Sequence, residues 1–211
     1  MKNVKTLVFD LDDTLYPKSL GYQKHADEKI AVFLQEKMGM SFDEYKEECN
    51  KLREKGCSTY SLYKEKGTTF EEYLICGCEH DMSKVEYNEE LHKILASLPY
   101  KKIIYTDANR KHVDDTLKYL RLESIFKDIY TVIDAGYIWK SFNGGFESFL
   151  KHYNLIPEET IIFEDNLKNL KKAKTLGLHT VLISEEDVLK PEFCDFLFKD
   201  INSALNFIFK K

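Results

Sequence analysis

Two aspartates, separated by one residue, stand at the end of a short apolar segment near the start of the chain. Asp10 and Asp12 follow residues 4–9, which are rich in β-branched and apolar types and lack helical periodicity, so a buried strand is predicted there. Residues i and i+2 of an extended segment point to the same side, so the two carboxylates can flank one ligand. Like charges this close repel each other unless a cation neutralises them. The spacing therefore favours a divalent-cation site, and the plainer alternative is a loop that uses Asp for turns and an N-cap.

The part of the chain after residue 101 has the alternation expected of an α/β fold. Short apolar segments predict strands at 102–106, 129–133, 160–163 and 180–183, and a last edge strand at 196–198. Segments of helical spacing lie between them, at 113–122, 146–153 and 167–176. Strands that alternate with helices form right-handed βαβ units, so we expect a doubly wound α/β fold with a parallel sheet. Functional sites in such folds lie at the carboxyl ends of the strands.

Residues 17–96 have a different pattern, in which short β-rich segments give way to helical spacing. Spaced apolar residues predict a helix that ends before Gly39. Two further helix starts carry the capping-box pattern, Ser41 with Glu44 and Thr68 or Thr69 with the glutamates that follow. We therefore predict a helical domain of residues 17–96, inserted into an α/β core of residues 1–16 and 97–211.

Side chains capable of chemistry follow four of the predicted strands. They are Asp10 and Asp12, Thr106 with Asp107 and Ala108, Lys140, and Glu164 with Asp165. Carboxylates, a hydroxyl and a lysine together suit a site for Mg²⁺ and a phosphate. The Thr106 hydroxyl and the next two amides could bind a phosphate at a helix start, and an ordinary N-cap is the alternative for Thr106. Lys140 would ordinarily be a solvated surface charge.

These four groups resemble the motifs of the haloacid-dehalogenase-like hydrolase superfamily, in its phosphatase form. Motif I, Asp-x-Asp-x-Thr, is matched by FDLDDTLYP, and motif II by Thr106 and the residues after it. Motif III is matched by Lys140, six residues before Phe146, and the Glu-Asp form of motif IV by Glu164-Asp165. The resemblance covers essentially the whole chain.

The resemblance implies a role for each of these residues. It implies a nucleophilic Asp10, which would form an aspartyl-phosphate, and a general acid/base Asp12. It also implies a Mg²⁺ ion held by the Asp10 carboxylate, the Asp12 main-chain carbonyl and Asp165, with Glu164 in support. Lys140 would screen the charge between Asp10 and the substrate phosphate.

Two positions depart from the motifs. Asp107 stands where motif II often has Asn, which places another negative charge near the phosphate. Ser141 stands where motif III has Pro, and Gly144-Gly145 is expected to loosen the same loop.

The helical insert stands where this superfamily has its C1 cap, which implies a small phosphorylated metabolite as the partner. Motifs I, II and IV look most like the pyrimidine 5′-nucleotidase branch, which implies a nucleoside monophosphate such as UMP or CMP. Side chains that could stack on a base are Tyr16, Tyr22, His25 and Tyr60, with helix packing as the alternative for each. Two other functions stay open: a phosphatase or mutase for phosphoglycolate or a sugar phosphate, and a phosphate-binding regulatory protein without turnover.

Composition limits the remaining classes of protein. The chain has 211 residues, of which 43% are hydrophobic and 32% charged, a balance typical of a globular protein with a sizeable core. No apolar segment approaches the ~20 residues that a membrane span requires, and no secretory signal is visible, so we expect a cytoplasmic protein with no membrane partner. A net charge of −5 argues against nucleic acid as a partner.

The cysteines offer one further metal site to consider. Five cysteines are an odd number in a chain of ordinary size, which favours reduced thiols over a disulfide framework. Cys76, Cys78 and His80 together present three soft ligands for Zn²⁺. Zinc sites usually add a second, distant pair of ligands, and none follows here, so buried or loop thiols are the favoured interpretation.

Overall fold

The computed structural model describes residues 3–55, 60–78 and 82–209 of the chain. Its centre is a sheet of six parallel strands in the order β3-β2-β1-β4-β5-β6. The strands are β1 (Thr6–Phe9), β2 (Lys101–Tyr105), β3 (Asp128–Tyr130), β4 (Thr160–Glu164), β5 (His179–Ile183) and β6 (Phe196–Phe198). The predicted doubly wound parallel sheet is confirmed, with β6 at its edge.

Nine α-helices lie in the described ranges and complete the fold. They are α1 (Tyr22–Phe33), α2 (Phe42–Glu54), α3 (Tyr60–Glu65), α4 (Phe70–Cys78), α5 (Glu89–Ser97), α6 (Arg110–Leu120), α7 (Gly145–Tyr153), α8 (Leu167–Thr175) and α9 (Ile201–Phe209). Helices α5, α6 and α9 cover one face of the sheet, and α7 and α8 cover the other. Among the residues that can be described, no helix is long and apolar enough to cross a membrane.

The alternating directions of side chains along each strand explain why helices cover both faces of the sheet. Leu7 and Phe9 of β1 belong to the apolar core under α5, α6 and α9, whereas Val8 belongs to the core under α7 and α8. Successive side chains of a strand point to opposite faces, so a strand that is apolar at every position needs helices on both sides. All three of these side chains are fully buried.

Helices α1 to α4 form what we call the helical insert, which follows β1 in the chain. Helix α1 continues into a wider turn, Leu34–Met38, and ends at Gly39, whose φ of 63° a residue without a side chain adopts at little cost. The insert has its own apolar core, rich in aromatic rings, which includes Tyr45, Tyr63, Phe70 and Tyr73.

Both predicted capping boxes are present at the starts of insert helices. The Glu44 amide donates to Ser41 Oγ at 3.2 Å, and the Ser41 amide donates to Glu44 Oε2 at 2.7 Å. Thr69, rather than Thr68, makes the equivalent pair with Glu72, at 3.1 and 3.0 Å. The domain division into 17–96 and the rest of the chain stays a prediction, and α5, within that range, packs against α9.

The predicted and observed elements differ at three places in particular. The third strand ends at Tyr130 instead of residue 133, because Asp134 accepts hydrogen bonds from the Thr131 amide and hydroxyl, at 2.8 and 2.7 Å, and closes a turn there. Helix α6 begins at Arg110, three residues before the predicted start, because Asn109 caps it. Helix α9 has no counterpart among the predicted elements.

Candidate active site

The eight predicted site residues line one cavity of about 420 Å³ at the carboxyl end of the sheet. They are Asp10, Asp12, Thr106, Asp107, Ala108, Lys140, Glu164 and Asp165. Strand β1 lies between β2 and β4, so the residues that follow these three parallel strands meet at one edge. The opposite wall of the cavity comes from α1 and α4 of the helical insert. Strand order thus brings together side chains from four distant parts of the chain.

Lys140 is a fully buried lysine at the centre of this group. Its Nζ donates to Asp10 Oδ1, to Glu164 Oε2 at 2.8 Å and to the Tyr105 carbonyl at 3.1 Å. Burial lowers the pKa of Lys140, but the carboxylates of Asp10 and Glu164 outweigh it and hold that pKa well above its ordinary value. The lysine is therefore charged, and the surface role that is usual for lysine does not apply to it.

Three carboxyl groups face this single cation. Oxygens of Asp10, Glu164 and Asp165 lie within 4.8 Å of one another. Burial, followed by the charge of Glu164, raises the pKa of Asp10 well above its usual range. Burial likewise raises the pKa of both Glu164 and Asp165 to about 7, and the neighbouring carboxylates add to the effect. Three carboxyl groups thus share one lysine and are harder to ionise than usual, as expected of a site built for a further cation.

The donor set fits Mg²⁺. The ion prefers hard oxygen ligands and keeps several waters, so a few protein carboxylates suffice. Asp10 and Asp165 would hold it through their side chains. Glu164 fits a supporting position better, because Lys140 Nζ donates to its Oε2 and the Asn166 amide donates to its Oε1, at 3.1 Å. The Asp12 main-chain carbonyl as a third ligand stays a prediction.

Asp12 has a separate environment from the other carboxyl groups. His112 Nε2 lies 2.6 Å from Asp12 Oδ1, and the Tyr16 hydroxyl donates to the same oxygen. Burial would raise the pKa of Asp12, but His112 and the two hydrogen bonds outweigh it, so this pKa lies below its ordinary value. The two carboxylates of motif I are therefore held by different partners, Asp10 by a lysine and Asp12 by a histidine and a tyrosine.

His112 is a site residue that the sequence analysis missed. The predicted helix began at Val113, so His112 was left outside it, although it lies in the first turn of α6. Its position on the buried face of that helix, beside Val113 and Thr116, is the signal that could have identified it. A polar side chain in an apolar stripe next to a strand end requires a partner, and the partner here is Asp12.

Thr106 and its neighbours adopt a local turn before α6. The Ala108 amide donates to Thr106 Oγ1 at 3.0 Å, and Thr106 is fully buried. The N-cap of α6 is Asn109, which accepts from the His112 amide at 2.9 Å, so the N-cap alternative for Thr106 is wrong. Phosphate binding by Thr106, Asp107 and Ala108 stays a prediction.

Asp107 has a structural partner that its position in the motif did not indicate. Its Oδ1 accepts the Lys140 amide at 3.0 Å, across 33 residues of sequence. Burial raises the pKa of Asp107, and Lys140 opposes that effect. The Asp107 carboxylate therefore accepts from the backbone of the loop that carries Lys140. This hydrogen bond links that loop to the end of β2.

The loop that carries Lys140 is packed, not loosened by its glycines as expected. A Cβ on Gly145 would lie 2.5 Å from the Trp139 carbonyl oxygen, so only glycine allows this approach. Trp139 packs on Phe70 of α4, with ring centroids 5.2 Å apart, and the Tyr137 hydroxyl donates to Glu71. Contacts with the helical insert hold this loop in the absence of the motif III proline.

The four proposed base-stacking residues have different positions. Tyr16 and Tyr22 line the cavity, with their rings in an edge-to-face contact at 5.7 Å. His25 does not line it, and its largely exposed ring lies 3.9 Å from Glu28. The Tyr60 side chain lies outside the described residues. Other side chains that line the cavity and were not foreseen include Ile30, Tyr73 and Trp139.

The cysteines form no metal group among the residues that can be described. Among the described residues, Cys49, Cys76, Cys78 and Cys194 form no disulfide, whereas Cys57 and His80 lie outside the described ranges. Cys76 Sγ donates to the Lys29 carbonyl at 3.4 Å. Burial raises the pKa of Cys78 to about 12, which keeps it in the thiol form that binds metals poorly.

Solved structures of known proteins share this architecture over nearly their whole length. The HAD-hydrolase YfnB from Bacillus subtilis, crystallised with magnesium, is 18% identical, with 99% of this chain and 100% of that chain covered and a TM-score of 0.62. A HAD phosphatase from Thermococcus onnurineus is 20% identical, with 97% of each chain covered and a TM-score of 0.59. The L-2-haloacid dehalogenase from Xanthobacter autotrophicus, with chloropropionic acid covalently bound, is 14% identical, with 97% of this chain and 98% of that chain covered and a TM-score of 0.62.

At these identities the structural similarity concerns the fold alone. The family follows from the sequence itself, since the model of the family described as "Haloacid dehalogenase-like hydrolase" matches residues 7–183. That range includes every residue of the cavity group described above. The chain belongs to the haloacid dehalogenase-like hydrolases.

Proposed function

We propose that this protein is a Mg²⁺-dependent phosphomonoester hydrolase that acts through an aspartyl-phosphate, with a pyrimidine nucleoside 5′-monophosphate as its substrate. The observation that carries the proposal is the division of roles between two aspartates. Asp10 is paired with Lys140 in the carboxyl cluster, and Asp12 is held apart by His112 and Tyr16. This division supports attack on the phosphate by one aspartate and proton transfer by the other.

The first half of the reaction joins Asp10 to the phosphoryl group. An Asp10 oxygen attacks phosphorus as the bond to the ester oxygen breaks, and Asp12 gives that oxygen its proton. Two unit charges 4 Å apart repel by ~4 kcal/mol at an effective dielectric of 20, so Lys140 must offset the approach of an anionic nucleophile to an anionic substrate. When bound, Mg²⁺ would supply Lewis-acid stabilisation of the phosphoryl oxygens.

The second half regenerates the enzyme. Asp12, now a carboxylate, takes a proton from a water molecule as that water attacks phosphorus and the bond to Asp10 breaks. The products are inorganic phosphate and the free Asp10 carboxylate. The lowered pKa of Asp12 favours the carboxylate form that this step needs, whereas the first half needs the protonated form, which the proton taken from water restores.

The shape and lining of the cavity support a substrate with a planar, partly apolar group. A volume of about 420 Å³ lies within the ~300–1,000 Å³ usual for small-molecule sites. Tyr22 and Tyr73 of the helical insert and Trp139, next to Lys140, line the cavity with aromatic rings, and Gln23 adds a polar amide. Aromatic rings can stack on a base, and an amide can pair with its edge.

Phosphate release from a panel of esters tests class, metal and substrate together. The panel contains UMP, CMP, AMP, GMP, phosphoglycolate and sugar phosphates, each assayed with Mg²⁺ and with EDTA. We expect the highest kcat/KM on the pyrimidine nucleotides and no release in EDTA. A preference for phosphoglycolate or a sugar phosphate would show that the substrate is not a nucleotide. The absence of phosphate release from every ester would favour a phosphate-binding regulatory protein without turnover.

Asp10→Asn tests the nucleophile. We expect kcat to fall by about four orders of magnitude or more, with the fold retained, because the amide cannot form the acyl phosphate. Asp13→Asn is the matched control, since it removes a neighbouring charge at a residue whose φ of 55° suits Asn. Ester hydrolysis that survives in Asp10→Asn would refute the assignment.

A further inference from the structure

We propose that His112 is the positioning residue of Asp12, and that it fixes this carboxylate by bridging from it to helix α4 of the helical insert. The inference rests on the proposed phosphatase function, in which Asp12 carries the proton. It adds a residue that neither the motifs nor the family membership indicated. Its basis is a set of contacts on both sides of one imidazole ring.

One side of the ring contacts Asp12, which follows β1 at the carboxyl end of the sheet. His112 Nε2 and Asp12 Oδ1 are 2.6 Å apart, although the residues are separated by 100 positions in the chain. The Tyr16 hydroxyl donates to the same oxygen. Because both donors use Oδ1, the orientation of the carboxylate is set and Oδ2 is the oxygen left to exchange a proton with the substrate.

The second side of the ring contacts the helical insert. The imidazole also forms a hydrogen bond with the Cys78 backbone, at the last residue of α4. Asn109, the N-cap of α6, donates through its side chain to the Leu74 carbonyl of the same helix at 3.5 Å. The start of α6 is therefore attached to the end of α4, with His112 between that helix and Asp12.

These contacts assign His112 a positioning role instead of a direct one. The ring is 4% exposed, and its contacts with Asp12 and the Cys78 backbone engage both sides of it. A histidine held in this way cannot turn to meet a substrate, so it acts through the carboxylate it orients. A residue that hydrogen-bonds to a catalytic group fixes the rotamer of that group, and a small displacement of the group slows the reaction strongly.

Three variants separate the two contacts of the ring. In His112→Gln the side-chain amide can reach the place of Nε2 and donate to Asp12. In His112→Asn the shorter amide can reach only the place of the other ring nitrogen, on the side of Cys78. His112→Leu removes both hydrogen bonds.

The choice of substrate separates positioning of the acid from a general loss of structure. An alkyl ester such as a nucleoside monophosphate needs a proton on its leaving oxygen, whereas p-nitrophenyl phosphate has a weakly basic leaving group and needs none. We expect His112→Leu and His112→Asn to lower kcat on the nucleotide about 10- to 100-fold, with KM changed less than about 3-fold. That loss does not exceed the lower end of the ~10²–10⁴ that a proton transfer contributes, because Asp12 is misplaced and not removed. On p-nitrophenyl phosphate the loss should stay below about 3-fold, and His112→Gln should retain most activity on both.

A double-mutant cycle checks that the effect passes through Asp12. In an Asp12→Asn background, His112→Leu should cause no further loss on the nucleotide, because the group it positions is already absent. Equal losses on both esters, or losses that multiply in the double variant, would overturn the proposal and leave His112 a structural residue.

A crystal structure of His112→Asn decides the question independently of turnover. We expect the Asp12 side chain to leave the orientation it has beside Tyr16, while Asp10 and Lys140 stay in place. An unchanged Asp12 would overturn the proposal. If the wild-type protein hydrolyses no ester, the proposed function fails, and this structural comparison still decides whether His112 positions Asp12.

Discussion

Lys140 shows how a single residue sets the charge balance of the site. It is the cation between Asp10 and Glu164, and all three side chains are buried. Buried ions need partners, because an unpaired charge in a protein interior is strongly destabilising. The same ammonium group would face the incoming phosphate in the proposed reaction, so one residue serves both stability and chemistry.

Replacing Lys140 by Met should expose this dual role. Without the lysine, Asp10 and Glu164 are left as unpaired carboxyl groups, and we expect the free energy of unfolding in EDTA to fall by about 3 kcal/mol at pH 8. Burial already raises the pKa of both groups, so their folded pKa values exceed their unfolded ones. The deficit should therefore shrink as the pH falls from 8 to 5 and the native carboxyl groups become protonated.

Urea unfolding of this variant and of the wild type at several pH values measures the deficit. Lys172→Met is the matched control, since Lys172 pairs with a more exposed carboxylate, Glu147, at 2.6 Å. A surface pair of this kind is worth at most about 1 kcal/mol. A deficit for Lys140→Met that is independent of pH would contradict the charge argument.

At the scale of elements, the loop between β3 and α7 decides where Lys140 lies. The Asp107 carboxylate holds the Lys140 amide from the β2 side, and Trp139 packs on α4 from the insert side. Gly145 lets the loop close tightly at the start of α7. Three separate elements thus fix a loop that lacks the rigid proline of the motif.

Gly145→Ala should disturb this loop. The new methyl group would lie 2.5 Å from the Trp139 carbonyl, so backbone must move, at a cost of about 1–3 kcal/mol and with a fall in kcat as Lys140 shifts. Gly77→Ala is the matched control, because its methyl group would meet only the Ile30 side chain, at 3.0 Å, and alanine favours a helix. Thermal unfolding and kcat measure both, and equal effects in the two variants would contradict the packing argument.

A second element-scale prediction concerns the edge of the sheet between β5 and β6. Asp195 accepts from the Thr180 amide at 2.9 Å and from Lys174 Nζ at 2.6 Å. Burial would raise the pKa of Asp195, but these two partners outweigh it and lower that pKa. The stability that the carboxylate adds is therefore present above its ordinary pKa of about 3.9 and is lost as the pH falls through the lowered value.

Asp195→Asn should reproduce that pH dependence. We expect the variant to lose about 1–2 kcal/mol of unfolding free energy at pH 7, and less at pH 3, where the carboxyl group of the unfolded wild-type chain is largely protonated. Denaturant unfolding at pH 7, 5 and 3 checks this. Asp187→Asn, at a fully exposed carboxylate beside Lys199, should show no measurable change at any of the three.

At the scale of the whole molecule, the cavity exists only because two packed units meet. The sheet supplies the charged edge, and α1 and α4 supply the aromatic wall. A ligand that binds the native site and not the unfolded chain must stabilise the entire molecule. The cluster of Asp10, Glu164 and Asp165 makes Mg²⁺ the first ligand to test.

Mg²⁺ should raise the melting temperature of the protein, and EDTA should reverse the shift. At a concentration 100-fold above Kd, the added stability is about 2.7 kcal/mol. Asp165→Asn should abolish the shift because it removes a side-chain ligand, whereas Asp13→Asn should keep it. A shift of equal size in Asp165→Asn would place the ion elsewhere.

The sequence by itself determined the sheet, the capping boxes and the eight residues that line the cavity. Strands β1 and β4 could be predicted because they are short, largely apolar segments. The two capping boxes could be predicted because Ser41 and Thr69 each bond to a residue three positions along the chain. The site residues followed from one rule of parallel sheets, which gathers strand ends at one edge. Each of these inferences uses only local pattern or strand direction.

Only the tertiary structure decided which partners these residues have. The pairs of Asp12 with His112, of Asp107 with the Lys140 amide and of Trp139 with Phe70 join positions that are far apart in the chain. No local pattern encodes them, because they depend on how α4 and the lysine loop pack over the sheet. Packing of that kind follows from the burial of whole apolar faces, and it fixes the distances on which hydrogen bonds and charge pairs depend.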